Sequence, residues 1–256
     1  MPEWKAKPFC ALLVALLCLT SAFAQNQQPI LPSQFDEFAN LLISTKTKEE
    51  RASLFAIKTN LLTPDLSKAL IRQGNVRLMA GQYSSAFEIY GIAQQVSQII
   101  GDREGIATAL LDLGTVYYFQ ANYPDALDNY RIARDLFLEI KNDYESAKAL
   151  SGIALIYKEQ RRDPEALAAL QQTLVEFTKL SDKEEMASAL SSIGSIYYGQ
   201  GKYAEAAEAF RKSIELNPNP DNVVKIADAL YMQGDYSQAL RFYKDSLVSP
   251  SIKASG

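Results

Sequence analysis

Chemistry at neutral pH needs groups that move protons, attack a substrate or hold an ion, and this chain is short of them. It has no histidine, and its two cysteines are Cys10 and Cys18. A Ser–His or Cys–His pair and an imidazole general base are therefore excluded. Two carboxylate pairs, Glu49-Glu50 and Glu184-Glu185, fall at helix starts, where acidic side chains stabilise the helix dipole. The glycines stand singly, so no phosphate-cradling loop is present. No catalytic residue, cofactor or metal centre is expected. A net charge of −4 and a pI of 5.1 argue against nucleic acid as a partner. Arg161-Arg162, the one strongly basic cluster in the repeats, reads as a solvated helix end. What remains in quantity is tyrosine, fourteen residues of it.

The spacing of those tyrosines points to the elements that carry them. Gly114-Thr-Val-Tyr-Tyr-Phe-Gln-Ala121 and Gly194-Ser-Ile-Tyr-Tyr-Gly-Gln-Gly201 align without a gap. The alignment then continues through Tyr123 and Tyr203, Ala126 and Ala206, Tyr130 and Phe210. Gly74, Gly114, Ala154 and Gly194 are 40 residues apart, as are Ala86, Ala126, Ala166 and Ala206. A fifth copy follows after 33 residues, with Ala227, Gly234, Tyr236, Ala239 and Tyr243. Self-similarity at such a period marks a stacked-repeat protein. Gly in a helix interior costs about 1 kcal/mol relative to Ala, so Gly114 and Gly194 imply close helix approach. The expected partner at that approach is the helix carrying Ala126 or Ala206, with Tyr117 and Tyr130 filling the space beside it. The third copy has Arg161, Asp163 and Leu170 in place of Gly, Tyr and the later aromatic, and is expected to be the poorly packed rung.

This pattern resembles the tetratricopeptide repeat: a small residue, an aromatic three later, a Gly-x-Tyr turn, an Ala three beyond and an aromatic four after that. Pro218 sits where that family often closes a repeat. The resemblance covers Ser67 to about Leu247 and implies an all-α fold, a right-handed superhelical solenoid of antiparallel helix pairs. Five repeats are expected at 67–106, 107–146, 147–186, 187–219 and 220–248. They exceed the usual length because the junctions at Gly101-Asp102, Lys141-Asn142 and Ser181-Asp182 each stop one helix and cap the next. Asp182 with Glu185 also forms a capping-box pattern. The resemblance further implies a concave groove lined by the first helix of each pair. Its residues here are Asn75, Leu78 and Met79; Thr115, Tyr118 and Phe119; Leu155, Lys158 and Glu159; Ser195 and Tyr198; Asp228, Tyr231 and Met232. Tyr117 and Tyr197 serve the core, which leaves Tyr118 and Tyr198 over as anchors for a bound segment. Repeats that clamp the acidic tails of chaperones place Lys, Asn and Arg along this face. Asn75 and Lys148 match that arrangement, whereas Ile71, Asp112 and Gly152 do not, so an acid-tail receptor is disfavoured.

The flanks add context. Lys5 and Lys7 precede the apolar run Phe9–Leu19, and Ala22-Phe23-Ala24 supplies a cleavage pattern, which together read as a signal peptide over 1–24. The run is too short to span a bilayer, so no stable membrane span is expected after cleavage. Removal would take away both cysteines and shift the net charge from −4 to −5, through loss of Lys5, Lys7 and Glu3. Residues 25–33 read as a disordered leader and 34–66 as a helical cap or degenerate repeat. Within it, a capping box at Thr47/Glu50 opens a helix with Leu54, Phe55 and Ile57 on its buried side. Thr63-Pro64 caps the next helix. The last repeat ends on Tyr236, Leu240, Phe242, Tyr243 and Leu247, followed by the tail 249–256, so a partner or further domain is expected over that face. The functional expectation is an exported, periplasmic or secreted, non-catalytic scaffold binding a peptide or helix of a protein partner. The alternative is a recruiting module of a longer enzyme, since exported arrays of this kind resemble the front of proteins with a caspase-like (CHAT) peptidase domain. Expression in a bacterium with an intact secretory pathway should give a mature chain beginning at Gln25, read by intact mass. A chain retaining Met1–Ala24 refutes cleavage.

Overall fold

The computed structural model describes residues 31–248. The expected signal peptide, most of the leader and the tail lie outside the described residues. Among those residues there are twelve α-helices and one short 3₁₀ turn, with no strand.

The first compact unit ends at Leu61. Its α1 (Pro32–Ser44) buries Phe35, Phe38, Ala39 and Leu42. This helix reaches back to Pro32, into the stretch read as leader, because the Gln34 side chain accepts a hydrogen bond from the Leu31 backbone N–H at 3.0 Å. In α2 (Lys48–Ile57) the expected capping box is formed. Glu50 N–H donates to Thr47 Oγ1 at 3.1 Å, and Thr47 N–H donates to Glu50 Oε2 at 3.4 Å. The expected buried side is not. Leu54 and Phe55 are half-buried, and Ile57 is 75% exposed, since the helix stops there and the chain turns through Lys58.

From Leu62 onward the helices form five pairs. Each pair has a first or A-helix (α3 Pro64–Met79, α5 Arg103–Phe119, α7 Asp143–Glu159, α9 Lys183–Gly199, α11 Pro220–Gln233) and a second or B-helix. The B-helices are α4 Tyr83–Ile100, α6 Tyr123–Glu139, α8 Asp163–Leu180, α10 Tyr203–Leu216 and α12 Tyr236–Val248. Each helix packs mainly on the one before and the one after it, which is how a solenoid spreads its core along its length. The result is a right-handed superhelix of antiparallel pairs.

The packing corrects one detail of the expected rung. The gap left by the A-helix glycine is filled by the aromatic ring of the B-helix rather than by its alanine. A Cβ on Gly114 would stand 2.8 Å from Tyr130 Cδ1, and one on Gly194 2.8 Å from Phe210 Cε1. Gly74 meets the fully buried Tyr90 in the same way. Tyr130 is held from both sides, because a Cβ on Gly152 of the next A-helix would lie 2.6 Å from its Cζ. Burying 150–250 Å² of aromatic surface is worth roughly 4–6 kcal/mol, several times the roughly 1 kcal/mol that helical glycine costs. The third rung is well packed too, against expectation. Leu170 is only 2% exposed and lies among Leu150, Ile193 and Ile196. Arg162 covers the Tyr157 ring at 4.4 Å and pairs with Glu165 at 2.9 Å. A large aliphatic side chain replaces the ring without leaving a void.

One turn joins the helices from α3 to α10. Gly81, Gly101, Ala121, Lys141, Arg161, Ser181 and Gly201, one every 20 residues, all have φ between +56° and +74°. The next residue's N–H closes the helix behind it, as in Asn122 N–H to Tyr117 O at 2.9 Å and Arg162 N–H to Tyr157 O at 2.9 Å, the Schellman arrangement. Where the turn leads to a new repeat, Asp102, Asn142 and Asp182 accept from Gly105, Glu145 and Glu185 N–H at 3.1, 3.2 and 3.0 Å. The reciprocal half of the Asp182/Glu185 box is not formed. Thr63 makes no side-chain cap, and its Oγ1 is buried without a partner.

Left-handed backbone costs a non-glycine residue about 1–2 kcal/mol. Ala121→Gly, Lys141→Gly and Arg161→Gly should each raise stability, by about 0.5–1 kcal/mol after the entropy of a freer unfolded chain. Urea denaturation checks this, and a loss of stability at all three refutes the strain argument.

Candidate functional site

The groove positions expected from the sequence include the residue that follows each A-helix glycine or alanine. In three rungs that side chain bonds to the B-helix tyrosine, which in the first two also fills the glycine gap. Tyr90 O–H donates to Asn75 Oδ1 at 2.5 Å, and Tyr243 O–H to Asp228 Oδ1 at 2.5 Å. Tyr130 Oη lies 3.1 Å from Thr115 Oγ1, which also contacts the Leu111 carbonyl at 3.1 Å. The bond to the Asp228 carboxylate, more than burial, pushes the Tyr243 phenol up to about 12. Burial does the same for Tyr130, against the opposing Thr115 bond. Asn75, Thr115 and Asp228 were expected as free groove residues. They are also structural ties, and the sequence carries the signal: polar residues at this position accompany tyrosine fifteen residues later. The third rung pairs Leu155 with Leu170, and the fourth pairs Ser195 with Phe210. Ser195 therefore turns back onto its own helix, donating to Ser191 O at 2.9 Å.

The aromatic surplus at the A-helix ends is likewise partly committed. Tyr118, Tyr198 and Tyr231 each pair with the first B-helix tyrosine, Tyr123, Tyr203 and Tyr236, at centroid distances of 6.2, 5.4 and 5.2 Å. Tyr118 and Tyr198 are half-buried as a result, whereas Tyr231 is 55% exposed. Phe119 is 53% exposed and stacks on Tyr83 at 5.4 Å. Met79 is 89% exposed, Asn75 is exposed and Leu78 half-buried. Lys158 is half-buried and pairs with Glu159 at 3.6 Å. The structure thus sets exposed apolar groups at the A-helix ends of the first, second and fifth rungs, and a charged pair at the third.

Two further features escaped the sequence. Asp112, notable there only as a departure from the acid-tail clamp, has a carboxyl whose Oδ2 is shut off from solvent and without a hydrogen-bond partner. Burial pushes it up to about 7, with Lys148 opposing the rise and Glu145 adding to it. Lys148 does not pair with Asp112, because it pairs with Glu145 at 3.1 Å. The second feature is the furrow between α9 and α11. It holds a cavity of about 200 Å³ lined by Ser195, Tyr198, Phe210, Lys225 and Asp228, and beside it a cleft of about 280 Å³ rich in serine and asparagine, including Ser188, Ser191 and Asn222. Among the described residues, no group of three or more acidic, histidine or cysteine side chains is placed to hold a metal. No helix among them is long and apolar enough to cross a membrane.

The Asp112 environment fixes a pH dependence. Its folded pKa lies near 7, above the ~3.9 of an unfolded chain, so the folded state holds the proton more tightly. Its contribution to stability is full below about pH 4, falls as pH rises to about 7 and is flat beyond, a total on the order of 4 kcal/mol. Asp112→Asn should remove most of that slope and stabilise the protein at pH 8. Urea denaturation at pH 5 and pH 8 decides, and an unchanged slope in the variant refutes the assignment.

Sequence profiles described as tetratricopeptide repeat match residues 65–139 and 145–219, more than half of the chain, and a second such profile matches 191–251. Comparison with curated proteins gave no match. Among solved structures, BtubC (BKLC) from P. vanneervenii is similar at 15% identity and a TM-score of 0.69, covering 89% of this chain and 94% of that one. A Rap protein complexed with Competence and Sporulation Factor is 16% identical with a TM-score of 0.64, covering 93% and 71%. Pseudomonas aeruginosa pilF is 26% identical with a TM-score of 0.57, covering 70% and 73%. With the 40-residue ladder and the ring-in-gap packing, these matches place the chain in the tetratricopeptide repeat family.

Proposed function

We propose that this chain is an exported protein–protein interaction scaffold that holds a peptide or helix of a partner along the inner face of its A-helices. The observation that carries this reading is the exposed apolar series on that face: Met79, Phe119, Tyr231 and Met232, each at least 49% exposed. Rigid aromatic side chains lose little entropy on contact and dominate binding energy where they are buried by a partner. A face formed by consecutive repeats also allows one extended segment to touch several rungs. The chemistry of the chain supports a scaffold over a catalyst, because neither an imidazole nor a metal cluster stands beside these side chains. The solved Rap protein was crystallised with Competence and Sporulation Factor, and the likeness of fold is compatible with segment binding here. On the last described B-helix, Tyr236, Leu240 and Leu247 are 54–72% exposed. A partner or further domain seated there would extend the array.

Peptides selected from a random display library on the protein would give a measurable ligand. Tyr118→Ala, Tyr198→Ala and Tyr231→Ala together should weaken it at least tenfold by calorimetry, with the helical circular dichroism retained. Ile132→Ala with Val175→Ala, on the B-helices, should leave affinity unchanged. Unchanged affinity in the tyrosine variant, or equal loss in both, rejects inner-face binding.

A further inference from the structure

The fourth rung is built on the tyrosine template without its hydroxyl. Phe210 fills the Gly194 gap as Tyr130 fills that of Gly114, but phenylalanine has nothing to offer the residue across the furrow. That residue is Ser195, smaller than the Asn75 and Thr115 that meet a tyrosine hydroxyl, and it bonds back to Ser191. Both losses fall at one place, and the cavity of about 200 Å³ opens there. This is below the ~300 Å³ of a small-molecule cleft and on the scale of a single side chain.

Its walls restrict what enters. Phe210 and Tyr198 are its two aromatic lining residues. Lys225 Nζ lies 5.6 Å from the centroid of the Phe210 ring and is steadied by neutral partners, Asn222 Oδ1 at 3.3 Å and Ser191 Oγ at 3.5 Å. Asp228 is fixed by the hydrogen bond from Tyr243 through Oδ1, which leaves its second oxygen open. A cationic side chain would meet the Lys225 ammonium already over the ring, and a carboxylate would meet Asp228. A purely aliphatic side chain would strip water from both charged groups and return no hydrogen bond. A neutral ring with a hydrogen-bonding tip satisfies all of these demands.

We propose that this cavity is the subsite for one tyrosine side chain of the bound segment, its ring over Phe210 and against Tyr198 and its hydroxyl between Lys225 and Asp228. The proposal rests on the inner-face reading above and adds the identity of one anchor. The guest phenol supplies what Phe210 lacks.

The test uses N-acetyl-tyrosinamide titrated into the ¹⁵N-labelled protein, with N-acetyl-phenylalaninamide, N-acetyl-leucinamide and N-acetyl-lysinamide as comparisons. Resonances of Ser195, Tyr198, Lys225 and Asp228 should shift, and the tyrosine amide should bind about tenfold tighter than the phenylalanine amide, as a hydrogen bond to a charged group predicts. Ser195→Thr with Phe210→Tyr transplants the second-rung pair, closes the cavity and should reduce that binding at least tenfold. Ser195→Leu, copying the third rung, does the same by a different route and covers the case in which the double variant misfolds. Leucine amide binding as tightly as tyrosine amide, or undiminished binding in the folded variants, overturns the subsite. If tyrosine amide binds as expected while the selected peptides ignore Tyr118, Tyr198 and Tyr231, the inner-face reading fails, and the cavity is a tyrosine site that the bound segment does not use. The reverse result removes the subsite alone.

Discussion

An aromatic ring set against a helix that has no side chain at that point is the contact on which the array depends. It lets two helices approach closely, and the ring fills the volume that the approach creates. Tyr90, Tyr130 and Phe210 are at most 5% exposed, and each occupies a glycine gap that a methyl group could not share. Tyr130 does more, because Gly114 of its own pair and Gly152 of the next both face it. One side chain thus joins three helices. Where the ring is absent, in the third rung, Ala154 and Leu170 change together and packing is retained. The constraint is one of summed volume, which is why cores accept volume-conserving exchanges more readily than single changes.

The ladder can repeat because the turns repeat. A left-handed residue every 20 positions reverses the chain after a fixed number of helical residues, so each ring arrives opposite its gap. Four of those seven positions are not glycine. Their strain is tolerated since the following N–H closes the helix in the same way at every turn, and the packed ring on either side outweighs about 1–2 kcal/mol of backbone cost. The shorter step to the fifth pair comes from α10, which has 14 residues where α8 has 18, and from α11, whose start at Pro220 lies closer to Ala227 than the α9 start at Lys183 lies to Gly194. In the space this leaves, Asn222 takes the place of alanine and reaches the Ser213 hydroxyl at 2.9 Å.

Much of this was legible from residues alone. Gly and aromatic sixteen apart, and Asp or Asn at each repeat junction, depend on local geometry that a sequence carries directly. What the ring touches was not, since Ala126 and Tyr130 lie one turn apart on the same helix and either could have met Gly114. Nor did the sequence show that Ile57 is exposed, because periodicity gives a face but not what covers it. Asp112 was visible only as a residue that did not fit a known clamp. The charges and phenols that act on it, Tyr90, Tyr130, Glu145 and Lys148, come from three other helices, α4, α6 and α7. The α9/α11 cavity is an absence distributed over two helices, and it became readable once the tyrosine bonds of the other rungs showed what was missing.

That contrast separates the side chains that hold the array from those free to hold something else. In rungs one and two the tyrosine hydroxyl and its polar partner satisfy each other, whereas in rung five Tyr243 engages one oxygen of the Asp228 carboxylate. In rung three both positions are aliphatic and offer shape only. The furrow between rungs four and five sets the lysine and half-engaged carboxylate of α11 and the Phe210 ring of α10 around an unfilled space. The repeats therefore share a backbone and differ in the chemistry of the side chains they set along it.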